Sequence, residues 1–169
     1  MIDNHLLIDP VMAIEPIRNK AHYDLRRAFR QVAFDGLKNL QDDGLFIIST
    51  ACLATSPTPT VFDDIDQLTQ YVGLAEGRQI PLVMVNLICG LESNKVRLCS
   101  QERKENMKTK LVDTQVLEEV RGRTSLVSRH EAMGCAKRGT LFYFEVDTSE
   151  LEVEDTTRRV WECMSSVPH

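Results

Sequence analysis

From Lys95 to Lys110 the chain gathers six Lys/Arg residues against Glu102 and Glu105, a local balance of +4 in a protein of net charge −5. Guanidinium and ammonium groups grouped in this way can close over phosphate oxygens and neutralise charge in a phosphoryl-transfer transition state. The same composition also suits a solvated helical surface with Glu/Lys pairs. The basic stretch follows Ile80–Cys89, Ile-Pro-Leu-Val-Met-Val-Asn-Leu-Ile-Cys, a nearly unbroken apolar run without alternation. Such a run predicts a strand covered on both faces, as in a parallel sheet with helices on either side. A buried strand that delivers the chain into a basic segment, here about residues 90–113, is the arrangement of a phosphoryl-transfer lid.

Three other groups of residues could do chemistry. Ser49 and Thr50 end a second apolar run, Gly44–Leu53, and hydroxyls at the C-terminal edge of a parallel sheet lie where ligands bind. Asp3, His5 and Asp9 form a small cluster whose i, i+2 spacing would put Asp3 and His5 on one side of a strand, a weak case for metal-dependent hydrolysis. His130 stands in a polar stretch and reads as exposed. The five cysteines, 52, 89, 99, 135 and 163, are scattered, with no Cys-x-x-Cys pair. That pattern excludes a simple zinc or thioredoxin site and suits a reducing compartment. Cys52 and Cys89, in apolar runs, read as small core residues.

The elements that would position these groups follow from periodicity. Asp9-Pro10 reads as a turn. Residues 21–40 predict a helix with Leu25, Ala28, Phe29, Val32, Ala33, Gly36, Leu37 and Leu40 on one face, and Arg26, Arg27 and Arg30 pointing elsewhere. After the Gly44–Leu53 strand comes a Pro-rich loop and a helix near 61–76. Beyond the basic segment, Thr114 to about Val127 predicts a mostly charged helix, residues 128–139 a loop, and Thr140–Asp147 a third strand. Glu152–Met164 then predicts a helix with Val153, Thr156/Thr157, Val160, Trp161 and Met164 inward. Alternating helices and strands predict one α/β domain over residues 1–169, with a parallel sheet and right-handed crossovers.

A sequence pI near 5.4 argues against broad nucleic-acid binding. Local basic charge on an acidic body fits a small anionic partner better. No apolar run approaches the ~20 residues of a membrane span, and no secretory signal opens the chain, so a cytoplasmic protein is expected.

Asp3-Asn4-His5 with Ile8-Asp9-Pro10, the strand ending Ser-Thr-Ala-Cys-Leu, Pro-Leu-Val-Met-Val-Asn-Leu opening the Arg-rich segment with Glu-Arg-x5-Lys-x-Lys-Leu, and Val-Asp-Thr-Ser-x-Leu together form a layout. It resembles the small-molecule kinase branch of P-loop NTPases, the group of shikimate kinase, gluconate kinase and chloramphenicol phosphotransferase-like proteins, and within it a set labelled as AAA domains. The resemblance implies a three-layer α/β/α parallel sheet of nucleoside/shikimate-kinase type, with ATP and magnesium as cofactors. It implies that Asp3 is the acidic residue that meets substrate or magnesium-bound water, and that Arg97, Arg103, Lys108 and Lys110 are lid residues over the nucleotide phosphates. Thr148 and Ser149 would lie near the adenine, and Thr50 at the strand end that usually carries an acidic magnesium-binding residue.

The chain departs from that family at its signature. No Gly-x-x-x-x-Gly-Lys-Ser/Thr occurs, so the backbone cradle and Lys that hold the β- and γ-phosphates are missing. The sheet is expected to be incomplete at the N-terminus, lacking the first strand. In the family's order 2-3-1-4-5 that strand lies centrally, so its loss leaves unpaired edges through which the chain could associate with itself or a partner. Two functions follow: a kinase-fold protein related to ATP-dependent phosphotransferases of small hydroxylated substrates, not catalytically autonomous because it would need an N-terminal P-loop that this chain does not contain, or a non-catalytic accessory protein that binds a partner or an anionic metabolite.

Overall fold

The computed structural model describes residues 5–40, 47–55, 64–100 and 112–168. Among them are seven helices and four strands, a mixed α/β chain. The helices are α1 (His5–Ile14), α2 (Lys20–Lys38), α3 (Ile65–Arg78), α4 (Leu91–Leu98), α5 (Thr114–Arg123), α6 (Arg129–Gly134) and α7 (Val153–Ser165). The strands are β1 (Ala54–Thr55), β2 (Leu82–Ile88), β3 (Ser125–Leu126) and β4 (Leu141–Asp147). β1 pairs with β3 and β2 with β4, giving two two-stranded sheets rather than one parallel sheet of three strands. Contacts cluster into two compact units, residues 1–82 with 126–141, and residues 83–125 with 142–169.

The first unit is built on α2 and its packing against α1 and α3. The Asn19 side chain caps α2 by accepting from His22 N at 3.0 Å. Phe34, 1% exposed, packs at a tilt with its ring centroid 4.9 Å from that of Tyr71 of α3, with Leu74 completing a cluster joined by Ala33, Leu37, Ile47 and Leu82. Burying a side chain of Phe34's size contributes roughly 1.5–3 kcal/mol. Arg78 Nη1 closes the C-terminal end of α2, donating to Leu37 O at 2.7 Å and Leu40 O at 2.8 Å.

Several expectations are corrected here. Asp9-Pro10 is not a turn: Pro10 lies inside α1, where it has no N–H for the Leu6 carbonyl. Leu7 and Val11, an i, i+4 pair buried in this unit, hold the helix through that defect. The buried face of α2 is also rotated from the expected one. Val32 is 74% exposed, whereas His22 and Arg30 are buried beside Phe34. The Gly44–Leu53 strand is absent over its described residues 47–53, apart from an isolated bridge at Ser49. Ile48, Thr50, Ala51 and Cys52, outside any ladder among the described residues, are exposed. Residues 128–139 include α6, which a reciprocal Ser128/Glu131 capping box starts. Buried Val127 and Ala132 anchor it.

The second unit holds α4, α5, α7 and all of β2 and β4 beyond their first residues, Leu82 and Leu141. Leu82 N donates to Thr140 O and Thr148 N to Ile88 O, each at 2.8 Å, so the two strands run parallel. Met84, Tyr143 and Val146 are buried. Asn86, also buried, donates to Tyr143 Oη at 2.8 Å, and that hydroxyl donates on to Glu145 at 2.9 Å, which satisfies the polar groups inside the ladder. The expectation that Ile80–Cys89 is covered on both faces fails at its end, since Leu87 is half exposed and Ile88 partly so. The inward assignment of Val153 and Trp161 fails as well. Val153 is 74% and Trp161 63% exposed, because α7 turns its Thr156, Val160, Cys163 and Met164 side toward the unit instead.

Candidate functional site

The C-terminal ends of adjacent parallel strands gather loop residues from both, which is why open α/β sheets bind ligands there. In the second unit β2 leads through Cys89-Gly90 into α4, and β4 leads through residues 148–152 into α7. The Thr148 hydroxyl donates to Ile88 O at 3.0 Å, beside the Thr148 N–H bond to the same carbonyl, so the two strand ends are tied. Ser149 links them again. Its hydroxyl accepts from Gly90 N at 2.8 Å and donates to Asp147 Oδ1 at 2.6 Å. Ser149 N donates to the same carboxylate oxygen at 2.9 Å. Those two donors hold the Asp147 carboxyl below its ordinary value, the hydroxyl contributing most. A Cβ at Gly90 would stand 3.3 Å from Ser149 Oγ, so a larger residue there would press on the Ser149 side chain.

Arg97, on the last turn of α4, reaches back into this cluster. Nη1 donates to Thr148 Oγ1 at 3.0 Å and touches Cys89 Sγ at 3.7 Å. Nη2 donates to Thr148 O at 2.5 Å and Leu151 O at 2.9 Å. The four terminal N–H groups of the guanidinium thus have four acceptors within the protein. Arg121 Nη1 donates to Cys89 O at 3.1 Å. Lys95 bridges Glu118 at 2.6 Å and Glu92 at 3.1 Å, and these hydrogen bonds, that to Glu118 foremost, raise its pKa. The described cations of the basic segment, Lys95 and Arg97, therefore both have protein partners.

Of the residues singled out in the sequence, Arg97, Thr148 and Ser149 come together at this edge. Thr50 does not: it belongs to the first unit, in an irregular stretch rather than at a strand end. Asp3, Arg103, Lys108 and Lys110 lie outside the described residues. His5 starts helix α1 instead of a strand, and its Nδ1 meets Asp9 Oδ1 at 3.1 Å as an ordinary i, i+4 pair. Among the described residues no three His, Cys, Asp or Glu side chains gather to hold a metal. Cys52 is exposed and Cys89 partly exposed, so neither is a core residue. Partial desolvation of the sulfur, although the residue as a whole is exposed, and then the field of Asp64 push the Cys52 thiol up, away from a reactive thiolate. No helix of the described residues is long and apolar enough to cross a membrane.

Sequence reasoning missed Asp147, Gly90 and Cys89 as partners. The only signal for Asp147 was Asp-Thr-Ser after a strand, a pattern of polar side chains that bond their own turn. It also missed Arg30, Arg26 and Gln67 in the first unit, since arginine on an amphipathic helix reads as solvent-facing. No protein-family model, curated protein or solved structure matches the chain.

Proposed function

We propose that this chain is a kinase-fold relative that does not transfer phosphate by itself and acts by binding, as an accessory protein. The observation that carries this reading is the state of Arg97. A lid arginine must present its fork to phosphate oxygens, yet both terminal nitrogens of Arg97 are held by Thr148, Leu151 and Cys89. To reach a nucleotide it would have to abandon those acceptors, and Thr148, 6% exposed, would keep Ile88 O and Leu151 N as partners but lose both bonds from a charged donor in a place water hardly enters. Phosphoryl transfer depends on positioning and electrostatic stabilisation, and the chain lacks the Gly-x-x-x-x-Gly-Lys-Ser/Thr cradle that supplies both. Parallel pairing of β2 with β4 is an adjacency that strand order 2-3-1-4-5 contains, as parallel α/β sheets in general do.

Binding would use what the second unit leaves open. Among the described residues β2 and β4 each have one strand neighbour. Val153 and Trp161 present an apolar flank on α7. Unpaired strand edges and exposed aromatic side chains are features of association surfaces. Calorimetric titration with MgATP tests the reading, with no micromolar binding and no phosphate release expected. Micromolar MgATP affinity with release that Arg97→Ala abolishes would overturn it.

A further inference from the structure

Arg30 is an anomaly that the site above does not absorb. It is 6% exposed, and its contacts are two neutral amide oxygens, Gln70 Oε1 at 2.6 Å from Nε and Gln67 Oε1 at 3.1 Å from Nη1. Among the described residues no carboxylate lies within ion-pair distance of it, although other arginines here have acids, Arg27 with Asp66 and Arg123 with Glu119. Burial, and next the neighbouring Arg26, bring Arg30 down to about 10, so it remains a cation at neutral pH. A buried charge normally has a counter-charge, because desolvation without one costs several kcal/mol.

The surroundings share this excess of donors. Gln67 is 4% exposed and its Nε2 has no acceptor among the described residues. Arg26, one turn before Arg30, lies with its guanidinium 5.7 Å from the Tyr23 ring centroid and has no described carboxylate in ion-pair contact. Asp64 is the acid whose field reaches both arginines, but its Oδ2 already accepts from Ala54 N at 3.0 Å. Two guanidiniums and one carboxamide N–H group are thus collected in the first unit with too few acceptors among the described residues. Gln70, which holds Arg30 Nε, also lines a groove of about 420 Å³ between α2 and α3, shared with Asp24, Arg27, Gln31 and Asp66 and not with Arg30, Arg26 or Gln67, so solvent comes as near the cluster as Gln70.

We propose that Arg30, Arg26 and the Gln67 carboxamide form a binding site for an oxyanion group, phosphate or carboxylate, borne by a small molecule. The planar fork of arginine matches two oxygens of either group, and Gln67 Nε2 supplies a neutral donor to a third contact. Bound there, the oxyanion supplies the counter-charge that α2 and α3 do not. This site is independent of Arg97 and of the accessory reading.

The test is thermal unfolding of the full chain in a phosphate series, with chloride holding ionic strength constant, and a parallel acetate series. A ligand that binds only the folded state raises Tm, by about 3–6 °C at ten times its dissociation constant for a chain of this length. A saturable rise in phosphate beyond that in acetate assigns the site to phosphate-bearing ligands, and the reverse order to carboxylates. Arg30→Met and Gln67→Leu should each abolish the rise; the second leaves the arginines in place, so the test survives if the first fails to fold. Arg97→Ala should keep it. No rise in either oxyanion, or an equal rise in Gln67→Leu and the parent, would overturn the proposal.

Discussion

Replacing Arg97 by Ala separates a clamp from a lid without any ligand. The clamp assigns Arg97 to the resting fold, so its loss must appear as lost stability. Leu151 O is partly exposed and can turn to water, which leaves the bonds to Thr148 Oγ1 and Thr148 O as the ones that matter. Hydrogen bonds from a charged donor contribute about 1.5–3 kcal/mol each. Arg97 is itself exposed, so the low end applies, and the two together give about 3 kcal/mol at most. Urea titration followed by far-UV circular dichroism of the ligand-free protein reads this as a lower midpoint at unchanged slope. Arg97→Lys should recover less than half, since one ammonium nitrogen cannot span the acceptors that two guanidinium nitrogens reach. A lid residue, by contrast, can be removed from the unliganded protein with little effect. A loss below about 0.5 kcal/mol, within the range of ordinary surface substitutions, would refute the clamp.

Two further outcomes are expected. Ser149→Ala removes the stronger donor to Asp147, so the carboxyl midpoint, followed by carbon-detected NMR, should rise toward the ordinary ~3.9; in the parent protein the folded value is the lower one, so the stabilisation is complete above pH ~4 and is lost as pH falls through that lower value. An unchanged midpoint would show that Ser149 does not hold the carboxylate. If the flank of α7 is an association surface, sedimentation of the parent protein should depend on concentration, and Trp161→Glu, at the chain's one tryptophan, should shift it toward the monomer. A single species at every concentration would reject self-association.

How much was legible in the residues depends on whether the signal was local. β2, β4, α3, α5 and α7 fall close to their expected ranges because each rests on a periodic or continuous apolar pattern a few residues long. α6 was legible and overlooked: Ser128-Arg-His-Glu131 spells a capping box, and two nearby glycines hid it. The turn at Asp9-Pro10 failed because tertiary burial of Leu7 and Val11 outweighed the proline. The strand at Gly44–Leu53 failed for a different reason. An apolar run specifies only a wish to be paired, and strand pairing is decided by a neighbour that can be far away in sequence or missing.

The sequence by itself determined that the chain is mixed α/β, where most helices lie, and that Arg97, Thr148 and Ser149 belong to segments that flank strand ends. Only tertiary structure decided what those residues do. Whether a guanidinium is open to a ligand depends on carbonyl groups some fifty residues away, and Thr148 O and Leu151 O take Arg97 out of that role. Arg30 shows the converse. Its helix position reads as solvent-facing, and packing of α2 on α3 places it in the interior with Gln67 and Gln70 in place of an acid. Burial and counter-charge are properties of the packed chain, because desolvation depends on everything that surrounds a group and not on its neighbours in sequence.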